Sequence, residues 1–368
     1  MPRNLSGRPG SRVALGLLAA VLVGCGSSRD GDTASPVGDR MQQATEALFA
    51  PIDPDGPGCS GAVNVDGEIV WSNAYGLASL GDGEAFTSDA VVDIGSASKQ
   101  FTATAIGLLV EEGTLGLDDS LSEHVGDLPP WAGEVTIEQL VHHTSGIPGY
   151  IDLLDAQGVD LADPSDQDDA LAALTGTQLE FEPGSRFSYS NSNYLLLAEV
   201  VQGAGGVDLA TYLQREVFDP LGLAAQMTPG VELDGKAQSY EREDGDWVTA
   251  DSPWTQIGDG AVQTTPEQLA LWATQYWDSD LPPGLDRLRL GGAADMGDGG
   301  RYGLGIMEYP EDGVEGGAVL THSGGWSGFD TGFVVDPDRR TAVAVTCNTP
   351  DGPVTSDVAD DVLDAWTR

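Results

Sequence analysis

Lysine is almost missing from this chain: there are two among 368 residues, and lysine and arginine together supply 16 cations against 59 acids, a formal net charge of −43. Such a charge repels phosphate backbones and anionic headgroups alike, which excludes nucleic acid as a partner. The acids are dispersed rather than blocked, so they read as a heavily solvated surface. Cysteine is scarce at three, and neither C-x-x-C nor H-E-x-x-H occurs; no metal or other cofactor is implied. G-x-S-x-G is also absent, which removes the nucleophile elbow of one large class of serine hydrolases. Beyond the first 24 residues no apolar run approaches the length of a membrane span, and no internal repeat is visible. A length of 368 with 40% apolar residues suffices for one large core or a two-lobed one.

One of the two lysines, Lys99, stands three places after a serine in Ser96-Ala97-Ser98-Lys99. An ammonium, unlike a guanidinium, can shed its proton when desolvated and serve as a base. The short apolar run Val91-Val92-Asp93-Ile94 ends in Gly95, and Phe101 to Val110 is apolar enough for a buried helix. At a spacing of three, Ser96 and Lys99 then face the same way, with the serine at a helix N-terminus that favours developing negative charge. Taken alone, S-x-x-K also fits a surface serine beside a snorkelling lysine.

Two further motifs follow in order: Tyr189-Ser190-Asn191, and His322-Ser323-Gly324-Gly325 on a strand-like stretch. With S-x-x-K they form a variant of the S-x-x-K, S-D-N and K-T-G set. The chain resembles the class C β-lactamase and DD-peptidase-like family of penicillin-recognising serine hydrolases, which also holds esterases and D-amino-acid peptidases. GSASKQFTAT from Gly95, TIEQLVHHTSGIP from Thr136, GDGAVQTTPEQLALW from Gly258 and YGLGI from Tyr302 carry the likeness across residues 40 to the C-terminus. It implies a nucleophile, Ser96, whose proton passes to Lys99 and Tyr189. Near several cations a tyrosine ionises below its usual value of about 10. Asn191 is expected to hold Lys99 on one side and a substrate amide on the other. Gly324 belongs to the same motif, and the N–H groups of Ser96 and Gly325 are expected to form an oxyanion hole. His322 stands where the motif has lysine, and as an imidazole it is expected to gain charge as pH drops toward 6. His142-His143 precede Thr144-Ser145-Gly146 and read as structural rather than metal-binding.

Arg3, Arg8 and Arg12, the apolar stretch Val13 to Val23, and Leu22-Val23-Gly24-Cys25 resemble a bacterial lipoprotein signal. The expectation is a leader over 1–24, acylation of Cys25, a polar tether over 25–38, and one hydrolase domain over 39–368. The protein is then extracytoplasmic, lipid-anchored and monomeric, touching the membrane through that anchor only. Cys59 and Cys347 remain as an even pair, which in an exported chain suggests a disulfide. If their strands pair antiparallel, as folds of this family do, the two lie together; two buried free thiols are the alternative.

The fold class expected is mixed α/β. An antiparallel sheet from both chain ends is flanked by terminal helices, one from Asp39 and one carrying Val358, Val362, Leu363 and Trp366, with a mainly helical lobe inserted over roughly 97–290. Thr136-x-x-Gln139 and Thr265-x-x-Gln268 read as capping boxes, Gly303 to Glu308 as a strand, and Gly291 to Arg301 as a loop. The activity expected is hydrolysis of an ester or D-amino-acid peptide or amide through an acyl-enzyme, ahead of β-lactams. A true β-lactamase, or a penicillin-binding sensor with little turnover, is the alternative.

Overall fold

The computed structural model describes residues 36–231, 233–311 and 316–368. The leader over 1–24, Cys25 and most of the tether lie outside the described residues. Every residue of the strand Thr341–Cys347 is buried, and its neighbours alternate between two cores: Ala342 and Ala344 face the larger one, Val343, Val345 and Cys347 the smaller. The same period of two sorts Phe333 and Val335 from Val334 on Phe329–Asp336, and Ala62 from Val63 on Cys59–Val65. A sheet apolar on both faces must be covered on both.

The sheet runs Ala294–Asp295, Arg301–Tyr302, Met307–Pro310, Ala318–Trp326, Phe329–Asp336, Thr341–Cys347, Cys59–Val65, Glu68–Tyr75, antiparallel throughout, so both chain ends build it. The terminal helices Pro36–Phe49 and Thr355–Thr367 close the smaller core with Phe49, Val358, Val362 and Leu363. Trp366 packs at its edge and donates to Thr45 Oγ1 at 2.9 Å. The first helix begins at Pro36, three residues before the expected start, because proline is tolerated in a first turn. Cys59 and Cys347 are register partners with Cα atoms 4.0 Å apart, joined by a disulfide. Among the described residues no helix is long and apolar enough to cross a membrane.

Four local readings are corrected. The glycine-rich stretch 291–301 includes the outermost pair of strands, its turn held by Gly297 N–H on Asp295 and Gly300 N–H on Asp298. The strand expected over 303–308 is interrupted by a tight loop closed by Gly303 N–H on the Ile306 carbonyl at 2.8 Å. The inserted lobe, mainly helical, also carries a small sheet of Val92–Asp93, Val262–Thr264 and Gln226–Met227 and a hairpin of Tyr240–Glu243 with Asp246–Thr249. Strands this short show no readable periodicity. The box at Thr136 is closed in both directions, but at Thr265 Gln268 turns its Oε1 to Ala224 N–H instead.

Candidate active site

The chain leaves the strand Val92–Asp93 through Gly95, at φ +52°, enters a 3-10 turn over Gly95–Ser98, and continues as the helix Lys99–Glu111. Asp93 Oδ1 accepts from Gly95 N–H at 2.8 Å, and Ser98 Oγ from Val262 N–H at 3.1 Å, so the turn is pinned from both sides. The strand Ala318–Trp326 crosses it at backbone contact. A Cβ on Gly324 would lie 2.0 Å from the Ile94 carbonyl oxygen and 2.9 Å from Ser96 N, and one on Gly95 would lie 2.7 Å from Gly325 N. No side chain fits at either glycine, and that close approach sets the Ser96 backbone beside the Gly325 strand edge.

Lys99 is fully buried, and its Nζ is 3.0 Å from Ser96 Oγ, 2.9 Å from Asn191 Oδ1 and 2.6 Å from the Asp259 carbonyl oxygen. Asn191 opens the helix Asn191–Gly205, which packs against the helix of Lys99. The Gly303–Ile306 loop holds the other side: a Cβ on Gly305 would lie 2.6 Å from the Lys99 carbonyl oxygen. Tyr189 is 39% exposed, at the mouth, with its ring centroid 5.0 Å from Lys99 Nζ. Ser96, Lys99, Tyr189 and Asn191 are therefore brought together around the buried Nζ of Lys99.

Supporting residues that motif reading passed over fix that group. His143, read as structural, is buried 4.3 Å centroid to centroid from the Tyr189 ring, and its Nδ1 accepts from Ser190 N–H at 3.2 Å and pairs with Asn193 Nδ2 at 2.9 Å. Burial above all, then the nearby Lys99, holds it well below the usual histidine range, so it packs as a neutral ring. Tyr302, also buried, packs edge-on to His143 and bonds His322 Nε2 at 3.0 Å. Its place in YGLGI was visible; its partner was not.

His322 departs from expectation. It is buried, Nδ1 lies 2.6 Å from the Ser323 carbonyl oxygen and so must donate, and Nε2 then accepts from the Tyr302 hydroxyl. Burial first, and Lys99 second, lower it to about 4, so it does not charge near pH 6. Two acids inside the site complete the picture. Asp93 is 4% and Asp259 8% exposed; Asp259 Oδ2 accepts from Tyr150 OH at 3.1 Å, and Asp93 Oδ2 from Gln263 Nε2 at 2.9 Å. An acid within the apolar run 91–94 was the readable signal for the first. Cys59 and Cys347 lie away from this site, in the smaller core. Among the described residues no three His, Cys, Asp or Glu side chains converge as a metal site.

Comparison with known proteins agrees with this geometry. The family model described as Beta-lactamase matches residues 41–365. Penicillin-binding protein 4* of Bacillus subtilis is 26% identical over 301 residues, 77% of this chain and 66% of that protein. A D-aminopeptidase of Brucella anthropi is 32% identical over 284 residues, 73% of this chain and 52% of that one. The chain thus spans about half to two thirds of these curated relatives. Among solved structures, the octameric penicillin-binding protein homologue from Pyrococcus abyssi superposes with a TM-score of 0.76 at 25% identity, covering 90% of this chain and 77% of that one. A D-stereospecific amidohydrolase from Streptomyces sp. shares the fold with a TM-score of 0.74 at 21% identity, covering 89% and 98%. With a family match over nearly its whole described length and a serine, lysine, tyrosine and asparagine gathered at one cleft, the chain belongs to the β-lactamase family.

Proposed function

We propose that the protein is a serine hydrolase that forms an acyl-enzyme on Ser96 and cleaves an ester or a D-amino-acid amide or peptide bond. The observation that carries this reading is the set of three oxygens around Lys99 Nζ. As an ammonium, Lys99 donates one N–H to each. As an amine it keeps two donors, which the Asn191 and Asp259 oxygens accept, and its lone pair then falls toward Ser96 Oγ. The one position left for the lone pair is the one from which a proton must be taken. Ser96 Oγ attacks the acyl carbon as its proton passes to the Lys99 amine, and the bond to the leaving nitrogen or oxygen breaks as that proton is relayed from Lys99 through the Tyr189 hydroxyl to the leaving atom, which restores the amine and the phenol. Water then repeats the sequence and frees Ser96. The Ser96 and Gly325 N–H groups, beside each other at the glycine crossing, take up the oxyanion.

A fluorophosphonate or penicillin probe is expected to modify Ser96, seen by peptide mass spectrometry. Labelling is lost in Ser96→Ala and falls on the order of a hundredfold in Lys99→Ala and Tyr189→Phe. Undiminished labelling of Ser96→Ala retires the nucleophile. A burst of one equivalent with no turnover on any ester, amide or β-lactam favours the sensor alternative. We also propose that Cys25 carries a lipid anchor, supported by the basic, apolar and Leu22-Val23-Gly24-Cys25 segments alone. Cys25→Ser should then move the protein from the membrane to the soluble fraction; an unchanged distribution removes the anchor.

A further inference from the structure

Beside the nucleophile turn lies a cavity of about 30 Å³ walled by Asp93, Asp259, Tyr150, Gln256, Trp254 and Trp326, adjoining a cleft of about 640 Å³ that shares Asp93 and both tryptophans. It borders the reacting centre through residues next to Ser96, Lys99 and Gly325, which do not themselves line it. Asp93 holds the N–H of Gly95, the residue before Ser96; the Asp259 carbonyl holds Lys99 Nζ; and Trp326 follows Gly325. Neither carboxylate enters an ion pair among the described residues. Lys236, over the Phe329 ring at 5.6 Å, and Lys99 act on them only through space. Gln256 supplies an independent sign. Its Nε2 is spent at 2.8 Å on both Ser165 Oγ and the Asp166 carbonyl, which leaves Oε1 with no partner in a side chain 7% exposed that lines this cavity.

The polar groups offered are thus acceptors: two carboxylates and an amide oxygen, with the Tyr150 hydroxyl proton already given to Asp259. Two indoles, with ring centroids 5.8 Å apart, add electron-rich faces. An anion is refused by such a set. A primary ammonium fits it, with three N–H donors, a positive charge, and a size that matches room for one or two water-sized groups. Burial holds both carboxyls above the usual range, Asp93 at about 6, as expected of acids that await a counter-charge.

We propose that Asp93, Asp259 and Gln256 form a subsite for a primary ammonium carried on the carbon next to the reacting carbonyl, so that the preferred acyl donors are α-aminoacyl amides and esters. This rests on the acyl-enzyme reading of Ser96. The test uses the full chain and the p-nitrophenyl esters and p-nitroanilides of alanine, N-acetylalanine and propionic acid, each chiral acid as both enantiomers. The free amine should raise kcat/KM about tenfold to a hundredfold over the propionyl isostere and the N-acetyl compound. Asp259→Asn and Asp93→Asn should each reduce that ratio about tenfold, the propionyl ester serving as the internal reference for folding and for Ser96. Equal turnover of alanyl and propionyl donors by wild type, with Ser96 acylated by both, overturns the subsite and leaves the hydrolase standing. No acylation of Ser96 by any donor overturns both.

Discussion

At the scale of single residues, His322 shows how burial rewrites a motif. Where the family motif carries an ammonium, this chain has an imidazole whose two nitrogens are committed to Tyr302 and the Ser323 carbonyl. Its folded-state value of about 4 lies below the usual 6.5, so between those two the unfolded chain takes up a proton that the folded one refuses. Its contribution to stability is therefore full above about 6.5 and is lost as pH falls toward 4. His142, also lowered to about 4 by burial, adds to the loss, while Asp93, raised to about 6, binds its proton first in the folded state and works against it. For catalysis, any rise between pH 8 and pH 5.5 in the ratio of turnover on a carboxylate-bearing ester to that on a neutral ester should come from Asp93, which loses its charge near 6, and should vanish in Asp93→Asn. A ratio that still climbs toward pH 6 in Asp93→Asn would mean that His322 charges against the substrate. His322→Lys would bury a second ammonium near Lys99, and urea unfolding should show a loss of about 2–4 kcal/mol; an unchanged midpoint would show that the site accepts charge.

At the scale of elements, the sheet and its terminal helices were legible because the long strands run seven to nine residues between turn signals, and three of them, buried on both faces, read as near-continuous runs of small and apolar residues. The nucleophile, its lysine and the Tyr189-x-Asn191 pair were legible for another reason. Their chemistry depends on residue type at short spacing, and three residues of helix bring Ser96 and Lys99 to one side whatever surrounds them. What stayed hidden depends on chain crossings. Gly324 reads in sequence as a member of a motif, yet its part in the fold is to let the Ile94 carbonyl pass where a Cβ would stand. Asp259 reads as one acid among 59, and only the loop that lays its carbonyl on Lys99 and its carboxylate on Tyr150 sets it apart. The imidazole charge expected at His322 was inferred from the motif alone; exposure is a property of the packed strand and could not be read from it.

At the scale of the whole molecule, charge is the dominant unbalanced term. Even if each of the 16 cations paired one acid, 43 of the 59 acids would have no basic partner. The last helix is a local case: Asp357, Asp360, Asp361 and Asp364 crowd two turns. Asp360 is exposed on this helix; partial desolvation and then the like charges of Asp357, Asp364 and Asp361 push it up to about 6, an effect that its contact with water weakens. A carboxyl held above its ordinary value is best kept neutral, so this group costs stability as pH rises through that window and stays costly at pH 7. Salt shortens the reach of such repulsion from roughly 30 Å at 0.01 M to roughly 3 Å at 1 M, while the exposed ion pairs it also weakens are worth little. The thermal midpoint at pH 7 should therefore climb by about 5 °C or more between 0.01 M and 1 M sodium chloride. Salting-out would raise it too, so Asp360→Asn separates the causes: it should raise the midpoint by roughly one degree in low salt and by less at 1 M, where the like-charge share is screened and only the desolvation share is left. A gain of the same size at both salt concentrations would assign the effect to desolvation or helix propensity at that position rather than to like-charge repulsion, and a midpoint indifferent to salt would mean that the acidic surface does not strain the fold.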